Sequence, residues 1–144
     1  MTIVLDTNVI SELVRPLPDR SVMRWFVGRS VEDFAITSIT VAELFYGCWR
    51  MPSGRRQHEL SVVLNHMLSP FVERVLPFDA TAALRYARIK MERERAGRPI
   101  MIADAQIAAT ALANDCKLAT RNVKDFEGTG VTVVNPWNHP GHLS

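Results

Sequence analysis

Four acids in this chain stand where an α/β protein keeps its chemistry. Asp6 ends the apolar run Ile3-Val4-Leu5, a run suited to a strand buried on both faces of a parallel sheet. Glu43 lies early in the helix after a second such run, and Asp104 lies in the first turn or so of an Ala-rich helix. Asp125 follows a fourth strand-like run at residues 116–120. In open α/β sheets, strand ends and the helix starts that follow them share one edge, where ligands bind. Each acid alone has an ordinary explanation. Asp6 can hold a turn, Asp104 can favour a helix N-terminus, Asp125 can cap, and Glu43 can be a solvated helix acid. Together, carboxylates crowded at one edge repel and are driven to protonate unless a cation compensates. No Cys or His accompanies them. The expected ion is therefore hard and oxygen-loving, Mg2+ with Mn2+ as a substitute, and not zinc.

The elements that must carry these acids follow from hydrophobic periodicity. Residues 9–14 read as a short helix opened by Thr7 or Asn8. Pro16 and Pro18 then break the chain, and Asp19 or Ser21 caps a second helix bearing Val22, Trp25 and Phe26. Phe34-Ala35-Ile36-Thr37 is a second strand. Ser38 or Thr40 begins the next helix, whose Val41, Leu44, Phe45 and Cys48 form a buried stripe that excludes Glu43. A fourth helix presents Leu60, Val63, Leu64 and Met67. The third strand covers roughly residues 74–78 and is kept short by Pro77. Asp79 or Thr81 caps a long helix to about Arg95, which Gly97 and Pro99 end. The Ala-rich helix spans residues 100–113 with Ile102, Ala105, Ala109 and Leu112 on one face, and a last strand covers residues 131–134. This alternation predicts an α/β fold with a mainly parallel central sheet flanked by helices. Residues 1–135 form one domain. Residues 136–144 have loop chemistry and are expected to be loop or disordered, and His139 and His142 in their Pro/Gly context mark no metal site.

Composition excludes several classes. A hydrophobic fraction of 47% and a charged fraction of 22% in 144 residues fit one globular domain, not a disordered or fibrous chain. No apolar run approaches the ~20 residues that span a bilayer, and the N-terminus enters a strand directly without a secretion signal. Cys48 and Cys116 lack metal-ligand spacing and fit reduced thiols in a cytoplasmic protein. The net charge of +2 hides a pattern. Arg85, Arg88, Lys90, Arg93, Arg95 and Arg98 face only Glu92 and Glu94 in their stretch, and Arg50, Arg55 and Arg56 form a second basic group. Basic zones apart from an acidic centre suit a polyanion gripped in one place and processed in another. The competing reading is a solvated helix face with acid–base pairs at helical spacing.

Four motifs carry a family resemblance. They are Val4-Leu5-Asp6-Thr7-Asn8; Glu43 within Thr40-Val41-Ala42-Glu43-Leu44-Phe45-Tyr46-Gly47; Asp104 within Ile102-Ala103-Asp104-Ala105-Gln106-Ile107-Ala108-Ala109-Thr110-Ala111; and Ala119-Thr120-Arg121-Asn122-Val123-Lys124-Asp125-Phe126. In this order and spacing the chain resembles the PIN-domain ribonucleases, and more narrowly the VapC-type toxins of bacterial toxin–antitoxin modules. The resemblance runs from about Thr2 to Val134. It implies a PIN-like three-layer fold and an acidic catalytic metal pocket of Asp6, Glu43, Asp104 and Asp125. Asp6 and Asp104 match metal-ligand positions most closely, and Thr7, Asn8, Thr120 and Asn122 match polar positions that line the pocket. It further implies Mg2+-dependent RNA cleavage by an activated water, leaving a 5′-phosphate and a 3′-hydroxyl. The implied partners are a VapB-type antitoxin and a second copy of the chain, as a homodimer or a toxin–antitoxin hetero-oligomer. Charge and position nominate Arg50, Arg55, Arg88 and Arg121 as contacts to the RNA backbone.

Two other readings use the same residues. One is a non-catalytic RNA-binding module on the same fold. The other is a Mg2+-binding phospho-receiver with Asp79, after the third strand, as acceptor. That class also needs an acid beside Asp6 and a Lys after the last strand, and neither is present.

Overall fold

The computed structural model describes residues 1–138. Five strands form one sheet, β1 (Ile3–Leu5), β2 (Phe34–Thr37), β3 (Val75–Leu76), β4 (Lys117–Ala119) and β5 (Val133–Val134), in the order β3-β2-β1-β4-β5. All four pairings are parallel. Six helices flank the sheet: α1 (Thr7–Leu13), α2 (Arg20–Val27), α3 (Ser38–Trp49), α4 (Arg55–Leu68), α5 (Ala80–Arg95) and α6 (Ile102–Ala113). The expected order of elements is thus present. The segment after β4 is only a 3-10 turn, Val123–Phe126.

The side-chain alternation of a strand divides the core in two. Ile3 and Leu5 of β1, with Phe34 and Ile36 of β2, pack against α1, α2, α3 and α4 through Val9, Ile10, Val22, Leu44 and Leu64. Val4 and Leu118 face the other way, onto Ile89 of α5 and the Ala-rich α6. The sheet therefore has apolar cover on both faces. That explains why β1 reads as an uninterrupted apolar run and not as an alternating one.

Element boundaries shift where side chains cap. Asp6 itself, not Thr7 or Asn8, is the N-cap of α1, and its carboxylate accepts the Thr7 N–H. Thr37 caps α3 by accepting the Thr40 N–H, and the helix begins at Ser38 as expected. Asp19 and Asp79 cap α2 and α5; such caps are each worth about 1 kcal/mol. Pro77 confines β3 to two residues. The expected faces of two helices need correction. In α4 the buried residues are Leu64 and Leu68, while Val63 is exposed. In α6 Ala105 and Ala109 of the expected face are buried, but so are Ile107, Ala108, Thr110 and Ala111, because the helix is packed between the sheet and α5, while Ile102 is exposed.

Within the basic stretch at residues 85–98, Arg93 is a structural residue and not a surface charge. It is 7% exposed. Its Nε donates to the Arg98 carbonyl at 2.6 Å, and its Nη1 donates to the carbonyls of Asp125 and Glu127 at 2.9 and 3.0 Å. Lys90 pairs with Glu94, Arg88 lies 3.9 Å from Glu92, and Arg98 pairs with Glu127. The solvated-face reading of this stretch accounts for the first two pairs, which lie at helical spacing, but not for Arg98 with Glu127. Cys48 and Cys116 are buried free thiols. Pro136–Asn138 is a 3-10 turn with Pro136 buried, so ordered structure continues past residue 135. The expectation for residues 139–144, including His139 and His142, lies outside the described residues. No helix among the described residues is long and apolar enough to cross a membrane.

Arg93→Ala leaves three carbonyls without their charged donor, so the substitution is expected to cost about 3 kcal/mol. Urea unfolding measures this. A loss below about 0.5 kcal/mol, the range of ordinary surface substitutions, would contradict the structural role.

Candidate active site

Asp6 is the fixed point of the site. Its N–H donates to the Ala119 carbonyl at 2.9 Å, continuing the β1–β4 pairing by one residue. That register sets Asp6 beside Thr120, whose hydroxyl donates to Asp6 Oδ2 at 2.7 Å. The Thr7 N–H donates to Asp6 Oδ1 at 2.8 Å. Asn8 Nδ2 donates to Thr120 Oγ1 at 3.1 Å and lies 3.4 Å from Asp6 Oδ2, while Asn8 Oδ1 accepts the Arg121 N–H. The Asn122 N–H donates to Thr120 Oγ1 at 3.1 Å. The four polar positions singled out from sequence thus form one network that orients the Asp6 carboxylate. Asp6 is 4% exposed. Buried carboxylates persist when hydrogen bonded in this way.

Glu43 comes from the second turn of α3 and is exposed. The Thr7 hydroxyl donates to its Oε1 at 2.6 Å, and Thr40 Oγ1 lies 3.1 Å from that hydroxyl. Asp104 is the third residue of α6, behind Met101, which offers no capping side chain. Asp6, Glu43 and Asp104 line one cleft of about 440 Å3 with Thr7, Asn8 and Asn122. Asp125, in the 3-10 turn after β4, lies off that lining, yet its charge acts on both Asp6 and Asp104.

The electrostatics are those of uncompensated anions. Burial raises the Asp104 pKa to about 6, reinforced by the charges of Asp6, Asp125 and Glu43 and opposed by Arg93. Burial also raises Asp6, against the hydrogen bonds from Thr120 and Thr7, and the charges of Glu43 and Asp125 raise it further. Among the described residues, no three Asp, Glu, His or Cys side chains are arranged to hold an ion between them. The donor set is nevertheless all oxygen and fits Mg2+, which takes one or two carboxylates and keeps several waters.

Of the four arginines nominated for RNA, only Arg121 lines the cleft. Arg50 lies over the Tyr46 ring at the end of α3, Arg55 pairs with Glu59, and Arg88 sits on α5 near Glu92. The cleft is also lined by Ser11, Glu12, Arg15 and Trp137, which the sequence reading did not select. Ser11 and Arg15 follow Thr7 at helical spacing, a signal that was available. Trp137 had no local signal, because only the fold returns the chain after β5 to the acids.

Comparison with known proteins agrees with this architecture. The PIN domain matches residues 3–130. The VapC ribonuclease Y4jK of Sinorhizobium fredii is 43% identical over 136 residues, covering 94% of this chain and 97% of the relative. The toxin FitB of Neisseria gonorrhoeae is 40% identical, covering 94% and 99%, and the crystal structure of FitAcB from that organism matches with a TM-score of 0.89 over 95% of this chain and 99% of that one. VapBC2 from Rickettsia felis, solved bound to a DNA fragment from its promoter, is 27% identical with a TM-score of 0.80, covering 94% and 98%. The chain belongs to the PIN-domain family, among the VapC-type ribonuclease toxins.

An acid with a raised pKa holds its proton more tightly folded than unfolded, so its ionisation costs stability. For Asp104 that cost is absent below the ordinary value of 3.8, grows as the pH rises to about 6, and is constant above. Asp104 is partly exposed, and screening reduces the cost to about 1 kcal/mol. In chelator-treated protein, Asp104→Asn is therefore expected to be more stable than wild type at neutral pH, with the gain vanishing in acid. Urea unfolding across pH reads this out. A gain that does not change with pH would refute it.

Proposed function

We propose that the chain is a Mg2+-dependent endoribonuclease acting as the toxin of a toxin–antitoxin pair. The observation that carries the reading is that Asp6, Glu43 and Asp104, from three separate segments, line one cleft, while the charge of Asp125 also acts on Asp6 and Asp104. A pocket of bare carboxylates repels RNA phosphate, so the set makes sense with a divalent cation in it. Asp6 and Asp104 would hold that ion, helped by Glu43 and Asp125. When bound, it supplies charge neutralisation at the phosphate and a lowered pKa for a water.

The remaining work falls to the chain itself. Thr120, Asn8 and the Thr7 N–H fix the orientation of Asp6, so its carboxylate needs no reorganisation when substrate arrives. Thr7 holds Glu43 by Oε1, which leaves Oε2 to accept the proton of the attacking water. Water, and not the 2′-hydroxyl, is the nucleophile in this scheme, so the products carry a 5′-phosphate and a 3′-hydroxyl. Arg121 at the cleft is the backbone contact this reading favours.

Relatives named VapC ribonuclease and toxin support the activity, and FitAcB and VapBC2 as structural neighbours support a VapB-type antitoxin as partner. The cytoplasm is the proposed compartment. The phospho-receiver reading is disfavoured by the strand order. β2 lies between β1 and β3, so Asp79 beyond the edge strand is kept away from Asp6, and its carboxylate caps α5.

Asp6→Asn and Asp104→Asn are each expected to keep the fold and lose at least ~100-fold in Mg2+-dependent cleavage of total cellular RNA, the scale of removing one electrostatic group from an active site. Mapping of product ends checks the chemistry. Full activity of either variant, or undiminished wild-type cleavage in EDTA, would sink the metal-nuclease reading. RNA binding without any cleavage would favour the non-catalytic module.

A further inference from the structure

Arg121 follows β4, and Trp137 lies in the 3-10 turn after β5. The parallel register Ala119↔Val134 makes the residues beyond these two strand ends neighbours, and the Thr120 N–H donates to the Val134 carbonyl at 2.9 Å. The Arg121 guanidinium consequently lies over the Trp137 ring, 5.1 Å from its centroid. Trp137 is itself held. Its N–H donates to Asn135 Oδ1 at 3.0 Å, Pro136 before it is buried, and its side chain packs against the core that α2 covers. Both residues line the acid cleft.

The cleft has two cations among its described lining residues. Arg15 is paired with Glu12 at 3.2 Å. Arg121 is exposed beside a set of carboxylates, yet makes no ion pair among the described residues. Its guanidinium is engaged by the indole face and not by a carboxylate among the described residues. A planar guanidinium presented in this way matches a phosphate, which it can grip with two parallel hydrogen bonds. Without a cation the acids repel a polyanion, so attraction under that condition has to come from cations such as Arg121.

We infer that Trp137 is a positioning residue that presents Arg121 to a backbone phosphate of the substrate next to the cleaved one. This rests on the ribonuclease reading and adds to it a substrate-gripping role for the segment after β5.

The test uses the full chain with a labelled oligouridylate. Binding is measured in EDTA across a salt series, and cleavage with Mg2+ is measured separately. Arg121→Ala is expected to flatten the slope of log affinity against log salt by about 0.7, one phosphate contact to a single strand, and to raise KM more than it lowers kcat. Trp137→Leu is expected to weaken binding about two- to fivefold, the worth of an exposed cation–π contact, without changing the slope. Trp137→Phe should restore most of that loss. The proposal is overturned if Arg121→Ala leaves slope and KM unchanged, if Trp137→Leu alters only thermal stability, or if wild type does not bind RNA. Absence of cleavage with the binding pattern intact would reject the nuclease reading alone.

Discussion

The hydrogen bond from the Thr120 hydroxyl to the Asp6 carboxylate is the contact on which the site depends. It joins residues far apart in sequence, and it exists only because β1 and β4 are paired with Leu5 opposite Ala119. A one-residue slip would turn Asp6 to the other face and lose the partner. It also offsets part of the burial cost that would otherwise drive the carboxylate to take up a proton. Register, burial and charge state are thus one problem at this position, and the sheet settles all three.

The same logic extends outward. Thr7 opens α1 with its N–H on Asp6 and reaches Glu43 with its hydroxyl, so one residue ties two acids together. Arg93 reaches from α5 to the carbonyls of Asp125 and Glu127 and lowers the charge repulsion felt by Asp104. A site that concentrates negative charge needs a surrounding frame that does not relax, and these bonds supply it. The Ala-rich α6 contributes by its smallness, since it packs between the sheet and α5 and so carries Asp104 close to the strand ends.

Much of this was legible in order along the chain. The apolar run before Asp6 predicted β1, the stripe of Leu44 and Cys48 predicted α3 and left Glu43 outside its core face, and Gly97 with Pro99 predicted the gap between α5 and α6. The misreadings share a cause. Periodicity puts Val63 and Ile102 on apolar faces, yet both are exposed, because it reports a face without reporting what covers it. The cap of α1 is Asp6 and not Thr7 or Asn8, because Asp6 both ends the strand and opens the helix. In the basic stretch at residues 85–98, charge alone does not single out Arg93, whose guanidinium is bound to carbonyls from another part of the chain.

The sequence by itself determined the elements and their order, because local periodicity, caps and breakers act over a few residues, and it marked four acids at their ends as candidates. It could not determine which cations belong with those acids. Arg50, Arg55, Arg88 and Arg121 were equivalent as charges, and only the parallel pairing of β4 with β5 brings Arg121 and Trp137 together at the cleft. That choice was left to tertiary structure because proximity between residues distant in sequence is created by strand register and layer packing, and neither leaves a local trace.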